Sequence, residues 1–232
     1  MVGRRAFLKG SLATSGGLIL GGGSGLVSGI AHAAPAGFPA YTYIGTAFNK
    51  NNLRYNPTGE LIFPCIRGTV GRIANPLARY YLYYAPHDAP GGICLAYGDH
   101  LSGQFTEYPY NPIFSRKWPG GPDGISHISS PHVLWNSRVK QFYLYFHGEN
   151  TVTRVATSTD GINFTYQGGC ITEVGLNFDR EIHLGVFHNP LSGWPDKGRS
   201  AAPSFGTENG EEYMFYEAGG RLDGSIAVAK VL

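Results

Sequence analysis

The sequence predicts an all-β fold, a β-propeller of four or five blades, on three observations. Only 15% of the 232 residues are charged, whereas the chain holds 34 Gly, 15 Pro and 15 Tyr. Aromatic side chains suit pleated surfaces, and Gly and Pro punctuate the tight turns between short strands. Almost no stretch sustains the 3.6-residue period of an amphipathic helix, and a helical domain would need more Ala, Leu, Glu and Lys. The third observation is a template that occurs three times.

The first copy runs Phe63-Pro64-Cys65-Ile66, then Tyr80-Tyr81-Leu82-Tyr83-Tyr84, then Ile93-Cys94-Leu95-Ala96. The second runs Ser130-Pro131-His132-Val133, Phe142-Tyr143-Leu144-Tyr145-Phe146 and Arg154-Val155-Ala156-Thr157. The third runs Ala202-Pro203-Ser204-Phe205, Glu212-Tyr213-Met214-Phe215-Tyr216 and Ser225-Ile226-Ala227-Val228-Ala229. The prolines are 67 and 72 residues apart. Each copy predicts a short strand opening near Pro, an aromatic strand and a strand of small residues. Asp160-Gly161 follows the second copy and predicts a type I′ hairpin, whose two central residues both need positive φ. Ser102-Gly103 holds the equivalent place in the first copy, so fourth strands should begin near Phe105 and Phe164. Four antiparallel strands repeated radially make a propeller blade. The segment Glu173–Trp194 should supply a blade of its own. The last copy ends without a fourth strand, and Tyr41-Thr42-Tyr43-Ile44 is expected to pair beside Ile226–Val231 and close the ring. The domain reading is therefore 1–33 leader, 34–60 N-terminal segment with the closing strand, and 61–232 propeller.

The leader carries Arg4-Arg5-Ala6-Phe7-Leu8-Lys9, an uncharged run from Gly10 to Ile30 with eight glycines, and Ala31-His32-Ala33. It resembles a twin-arginine signal peptide, with a cut after Ala33. The glycines argue against a stable membrane anchor. The resemblance implies a translocase partner during export and a periplasmic or extracellular home. Removing 1–33 takes three of the 18 Lys and Arg and none of the 16 acids, leaving a net charge of about −1. No basic run remains to neutralise several phosphates, so nucleic acid is excluded as a partner. Three cysteines, Cys65, Cys94 and Cys170, show no metal spacing. Cys65 and Cys94 read as small buried side chains, with one disulfide as the alternative.

The repeat resembles the five-bladed propeller glycosidases, the superfamily of glycoside hydrolase family 43 and the β-fructosidases. Their blades read roughly Pro-x-apolar, then Tyr-Tyr-Leu-Phe-Tyr, then Ile-x-x-Ala-x-Ser-x-Asp-Gly-x-x-Phe. Tyr81–Gly103, Ser130–Phe164 and Arg199–Ala229 follow that phrasing. The resemblance implies a secreted glycosidase, a hydrolase of carbohydrate metabolism; a monomer is expected, with no cofactor and no metal. The alternative is a non-catalytic sugar-binding propeller. In the family 43 pattern the first two acids stand directly before or near the innermost-strand proline. Phe63, Ser130 and Ala202 hold those places here, so those aspartates do not carry over.

Glycoside cleavage needs two carboxyl groups flanking the scissile bond. Asp179 and Glu181 alternate on one face of a predicted strand, which suits an acid/base pair. Glu181, beside Ile182, is the expected proton donor and Asp179 the base or nucleophile. Glu217, after an aromatic strand and before Gly219-Gly220, is the substitute, with Glu149 and Asp123 behind it. Glu107, Glu208 and Glu211 read as solvated. His127 and His132 flank the second innermost strand, while His87 and His147 follow the first two aromatic strands. A ring of imidazoles could bind sugar hydroxyls, a metal or an anion. Arg67, His127 and His132 are the expected substrate-binding groups, with Trp118 offering an indole face from a Gly/Pro loop. All are expected at one mouth with Asp179 and Glu181.

Overall fold

The computed structural model describes residues 39–149, 152–172, 200–222 and 224–232. The leader, Asp179, Glu181 and the blade expected from Glu173–Trp194 lie outside the described residues. In chain order the strands are β1 (Tyr41–Asn49), β2 (Ile62–Gly68), β3 (Tyr80–Ala85), β4 (Cys94–Gly98), β5 (Thr106–Glu107) and β6 (Ser129–Asn136). There follow β7 (Gln141–His147), β8 (Val152–Ser158), β9 (Thr165–Thr172), β10 (Ser200–Glu208), β11 (Glu211–Ala218) and β12 (Ser225–Val231). Among the described residues there is no α-helix, only a single 3-10 turn at Lys50–Asn52.

The described strands form three four-stranded antiparallel sheets, ordered β2-β3-β4-β5, β6-β7-β8-β9 and β1-β12-β11-β10. These are blades of a β-propeller. As expected for closure, β1 completes the last blade: Tyr41 stands opposite Val231 and Ala229 opposite Tyr43. Leu232 N–H extends the ladder to Ala40 O at 2.9 Å. The innermost strands meet side by side. Val133 N–H on β6 donates to Cys65 Sγ on β2 at 3.2 Å, and Ile66 N–H on β2 donates to Ser204 Oγ on β10 at 3.0 Å. All three cysteines are free thiols, with Cys65 and Cys94 buried.

The aromatic strands are not amphipathic because a blade has neighbours on both faces. In β3, Tyr81, Tyr83 and Ala85 pack into a core with Val133, Leu144 and Phe146 of the second blade. Tyr80, Leu82 and Tyr84 alternate into another core with Phe215, Ile226 and Val228 of the last blade. Side chains of period two thus fill two inter-blade layers, and every residue of β3 is buried. Burying an aromatic or branched apolar side chain stabilises by about 1.5–3 kcal/mol, so this strand anchors the blade sandwich.

Hairpin chemistry departs from expectation at Asp160. Only Gly161 has positive φ there, so the link is not a type I′ turn. The Asp160 carboxylate instead accepts from Ser158 Oγ and from the N–H groups of Ile162 and Asn163, each at 2.8 Å. Such side-chain bonds to the next residues' N–H groups open a two-residue turn into a longer Asx loop. A two-residue Asn-Gly turn with both φ positive occurs at Asn209-Gly210, between β10 and β11. Burial alone would raise the Asp160 carboxyl, but the bonds from Asn163, Ile162 and Ser158 outweigh it and hold it below its usual value. With the folded value depressed, its stabilisation is full above the unfolded pKa of about 3.9 and is lost as pH falls through the folded value. Asp160→Ala is expected to cost about 2 kcal/mol at pH 7, and acid should narrow its gap from wild type. Thermal melts at pH 7 and pH 3 check this; an equal gap at both would refute it.

Glu107 and Glu208 are not merely solvated. Glu107 accepts from the N–H groups of Arg54 and Tyr55 at 2.6 and 3.2 Å, and buried Glu208 accepts from Leu101 N–H at 3.0 Å. Sequence-distant backbone donors claim both carboxylates as cross-links. Glu211 does pair at the surface, with Lys230.

Candidate functional site

The same backbone device opens each innermost strand. Phe63, Ser130 and Ala202 all stand directly before the template proline, and all have left-handed φ, at 56°, 56° and 48°. The register slips at the same point in each: between Ile62 and Cys65, Ser129 and His132, and Ala201 and Ser204. Proline at the next position disfavours the helical region and removes a ladder donor, so the strand bulges there. A non-glycine residue held at positive φ costs on the order of 1–3 kcal/mol and persists only where its surroundings over-determine it. Three copies of this strain at one end of three converging strands mark that end as the candidate site.

The residue facing each bulge on the second strand has the same register. Ala85 faces Ile62, His147 faces Ser129 and Glu217 faces Ala201. Glu217 is 2% exposed, and its Oε1 accepts the N–H of strained Phe63 at 2.8 Å. His147 Nε2 lies 3.2 Å from Ser130 Oγ. The Phe63 ring is 5.9 Å from that of His87, centre to centre. One mouth therefore joins Glu217 and Phe63 to the histidines.

His87, His127 and His147 form a triangle, with ring centres 5.2, 5.8 and 5.7 Å apart. One ring nitrogen from each lies within 4.8 Å of the others. Main-chain stitching holds the triangle. Gly91 bridges Ile128, and Gly92 N–H donates to Ile128 O at 2.7 Å, which ties the His87 loop to the His127 segment. A Cβ on Gly91 would lie 2.3 Å from Ile128 O, so only glycine allows that approach. Ser129 Oγ donates to Pro86 O at 2.9 Å, and the register of β6 with β7 fixes His147.

Glu60 sets the third side. It is fully buried and accepts the N–H groups of His87 at 3.0 Å and Asp88 at 2.8 Å, the Thr58 hydroxyl at 2.9 Å, and Arg221 Nε. Burial alone would raise its carboxyl, but the Asp88 N–H, Arg221 and Thr58 outweigh it and hold it below the usual carboxylate value. Glu60 therefore stays ionised and clamps the His87 loop. Burial pushes the imidazoles of His127 and His147 down, and the neighbouring rings push them further. Both are neutral near pH 7 and present lone pairs. His127 Nε2 is buried without a hydrogen-bond partner among the described residues.

The expected single mouth is divided. His127 and Glu217 belong to the strained end. Arg67 is four residues along β2 from Phe63, about 13 Å at the strand rise. It is spent on carbonyls: its Nε donates to Val133 O, and its Nη1 to Ile66 O at 2.5 Å. It lines a separate cleft of about 480 Å³ with Arg72, Tyr80, Trp135 and Phe205. His132 is exposed between the two ends, yet partial desolvation of its ring against the sheet first, and the Arg67 charge second, lower its imidazole. Trp118 is 39% exposed on its loop and, among the described residues, has no hydrogen bond or ring contact to the histidines. Glu149 pairs with Arg154 at 2.6 Å. Sequence reasoning missed Glu60, and it weighed His87 and His147 without selecting them. Their equivalent places after aromatic strands were the signal for the two histidines; nothing local marks Glu60.

The chain matches no protein-family model and no curated protein. Among solved structures it is similar to a fructofuranosidase from Schwanniomyces occidentalis complexed with fructosylnystose. That match has 14% identity and a TM-score of 0.40, over 76% of this chain and 32% of the other. It is also similar to a putative exo-beta-1,3-galactanase from Bifidobacterium bifidum, at 12% identity and a TM-score of 0.39, over 75% and 50% of the two chains. A thermostable family-43 glycoside hydrolase matches at 18% identity and a TM-score of 0.33, over 72% and 49%. The chain spans between 32% and 50% of the length of these proteins.

Proposed function

We propose that the chain is an exported glycoside hydrolase whose active site is the strained mouth. The observation that carries this reading is Glu217, a buried carboxylate locked against the pre-proline bulge where three innermost strands converge. The template's phrasing supports it independently. Glu217 supplies one of the two carboxyl groups that glycoside cleavage needs. Asp179 or Glu181 supplies the other. His127 and His147 stand at the same mouth beside it, on the side from which a sugar would enter. Glu217 is 2% exposed, and a carboxylate so shielded from water interacts more strongly with a bound group than one in bulk solvent.

A specific observation favours the second reading, a secreted sugar-binding propeller without catalysis. The three strained positions keep their bulges but carry Phe63, Ser130 and Ala202 rather than acids. Purified protein incubated with aryl-glycosides and polysaccharides, with binding calorimetry in parallel, separates the two. Turnover of one substrate class supports the hydrolase; binding without turnover on all of them leaves the binding module.

Export through the twin-arginine translocase to the periplasm or beyond belongs to the same reading. Replacing Arg4 and Arg5 with Lys should leave the protein in the cytoplasm, because the translocase reads the arginine pair rather than charge alone. Normal export of that variant would remove the assignment.

A further inference from the structure

We infer that His87, His127 and His147 form a site for one divalent transition-metal ion of the zinc class, at the mouth of the propeller. Zinc takes imidazole nitrogens at about 2.0–2.1 Å, and three protein ligands leave a coordination position for water or a ligand oxygen. Nitrogens within 4.8 Å of one another can all reach one central ion at that bond length with small ring movements.

Four observations carry the assignment together. The histidines come from three separate segments, the loop after β3, the lead-in to β6 and the end of β7, which backbone bonds hold in place. The Gly91 approach to Ile128 and the register of His147 opposite Ser129 leave little freedom for the triangle to open. Each ring also has an outer partner. His127 Nδ1 lies 2.8 Å from Ser126 Oγ, His147 Nε2 3.2 Å from Ser130 Oγ and His87 Nδ1 3.4 Å from Asp88 Oδ1. Outer partners of this kind fix the tautomer and ring orientation of metal-bound histidines. Lastly, His127 Nε2 is buried and unpartnered among the described residues. A buried polar atom without a partner costs free energy, and a bound ion supplies the missing interaction.

The donor set selects the ion. Calcium and magnesium require oxygen ligands, whereas imidazole suits zinc, copper, nickel and iron. Arg221 Nη2, 3.2 Å from His87 Nδ1, competes with Asp88 for that nitrogen. Metal binding at Nε2 keeps the proton on Nδ1 and so favours the contact with Asp88. The inference concerns this mouth but needs no saccharide: zinc uptake and glycoside turnover are read separately, so either can fail alone.

The test uses the full mature chain, stripped with a chelator and titrated with zinc chloride against a chromophoric competitor. One equivalent per chain is expected, unaffected by a large excess of calcium. His127→Ala and His147→Ala should each weaken binding by more than the roughly 10–100-fold that loss of an outer partner costs. His87→Ala is the safeguard against misfolding, because its half-exposed side chain sits on a loop. It should keep the wild-type melting temperature without metal and lose the rise that zinc gives the wild type. His132→Ala and His100→Ala should bind as wild type does. Absence of stoichiometric zinc on the wild-type chain would overturn the inference. Equal affinity in the His87, His127 and His147 variants would do the same.

Discussion

Glu217→Gln is expected to lower kcat on an active glycoside by about 10²–10⁴-fold, the usual cost of removing a required acid or base. Saccharide affinity should stay within a few-fold. The substitution keeps an oxygen to accept the Phe63 N–H, so the bulge and fold are retained while the carboxyl chemistry is lost. That separation gives the experiment its force. The experiment separates a role for Glu217 in holding the strained backbone of Phe63 from a role in acting on a ligand. A structural role would survive the amide; a chemical role would not. A rate within a few-fold of wild type would assign Glu217 to the bulge and move the chemistry to Asp179 and Glu181.

Glu60→Ala is expected to be the most destabilising single change among the described residues at this mouth. It leaves the N–H groups of His87 and Asp88 without their acceptor, and Arg221 without its buried acid. An unsatisfied buried donor costs about 1–3 kcal/mol, so a total on the order of 3 kcal/mol follows. For a domain of this size that is a fall of roughly 6–12 °C in Tm. Because Glu60 positions the loop carrying His87, zinc affinity should fall as well, although Glu60 touches no ligand nitrogen. Arg221→Ala should cost much less, since its side chain is 47% exposed and its pairs are open to solvent. Equal losses in the two variants would show that the ion pair, not the buried acceptor, holds the loop.

What was legible in the sequence follows from the range of the interactions involved. The threefold template showed β2, β6 and β10 through their prolines, the aromatic strands through their buried faces, and the pairing of β1 with β12. Strand pairing and blade burial repeat, so each copy reports on the others. The strain at Phe63, Ser130 and Ala202 was not legible, because residues before proline ordinarily favour extended backbone. Asp160-Gly161 marked the right link but the wrong turn, since its carboxylate bonds the N–H groups ahead of it. Arg67 and His132 looked like mouth residues because they sit near a template proline. Four residues of strand carry Arg67 to the opposite end, where carbonyls of its own and the neighbouring blade hold it. Glu60 could not be read at all. Three of its four donors lie 27, 28 and 161 positions away along the chain, and only the assembled fold brings them to one carboxylate.

On the proposed function, the strained ends of β2, β6 and β10 bind the saccharide. A crystal structure of Glu217→Gln soaked with a saccharide that the wild type binds should then show sugar electron density between Glu217 and the triangle of His87, His127 and His147, in contact with Phe63 or Ser130. Sugar bound instead in the cleft of Arg67, Trp135 and Phe205, with the strained mouth empty, would contradict it.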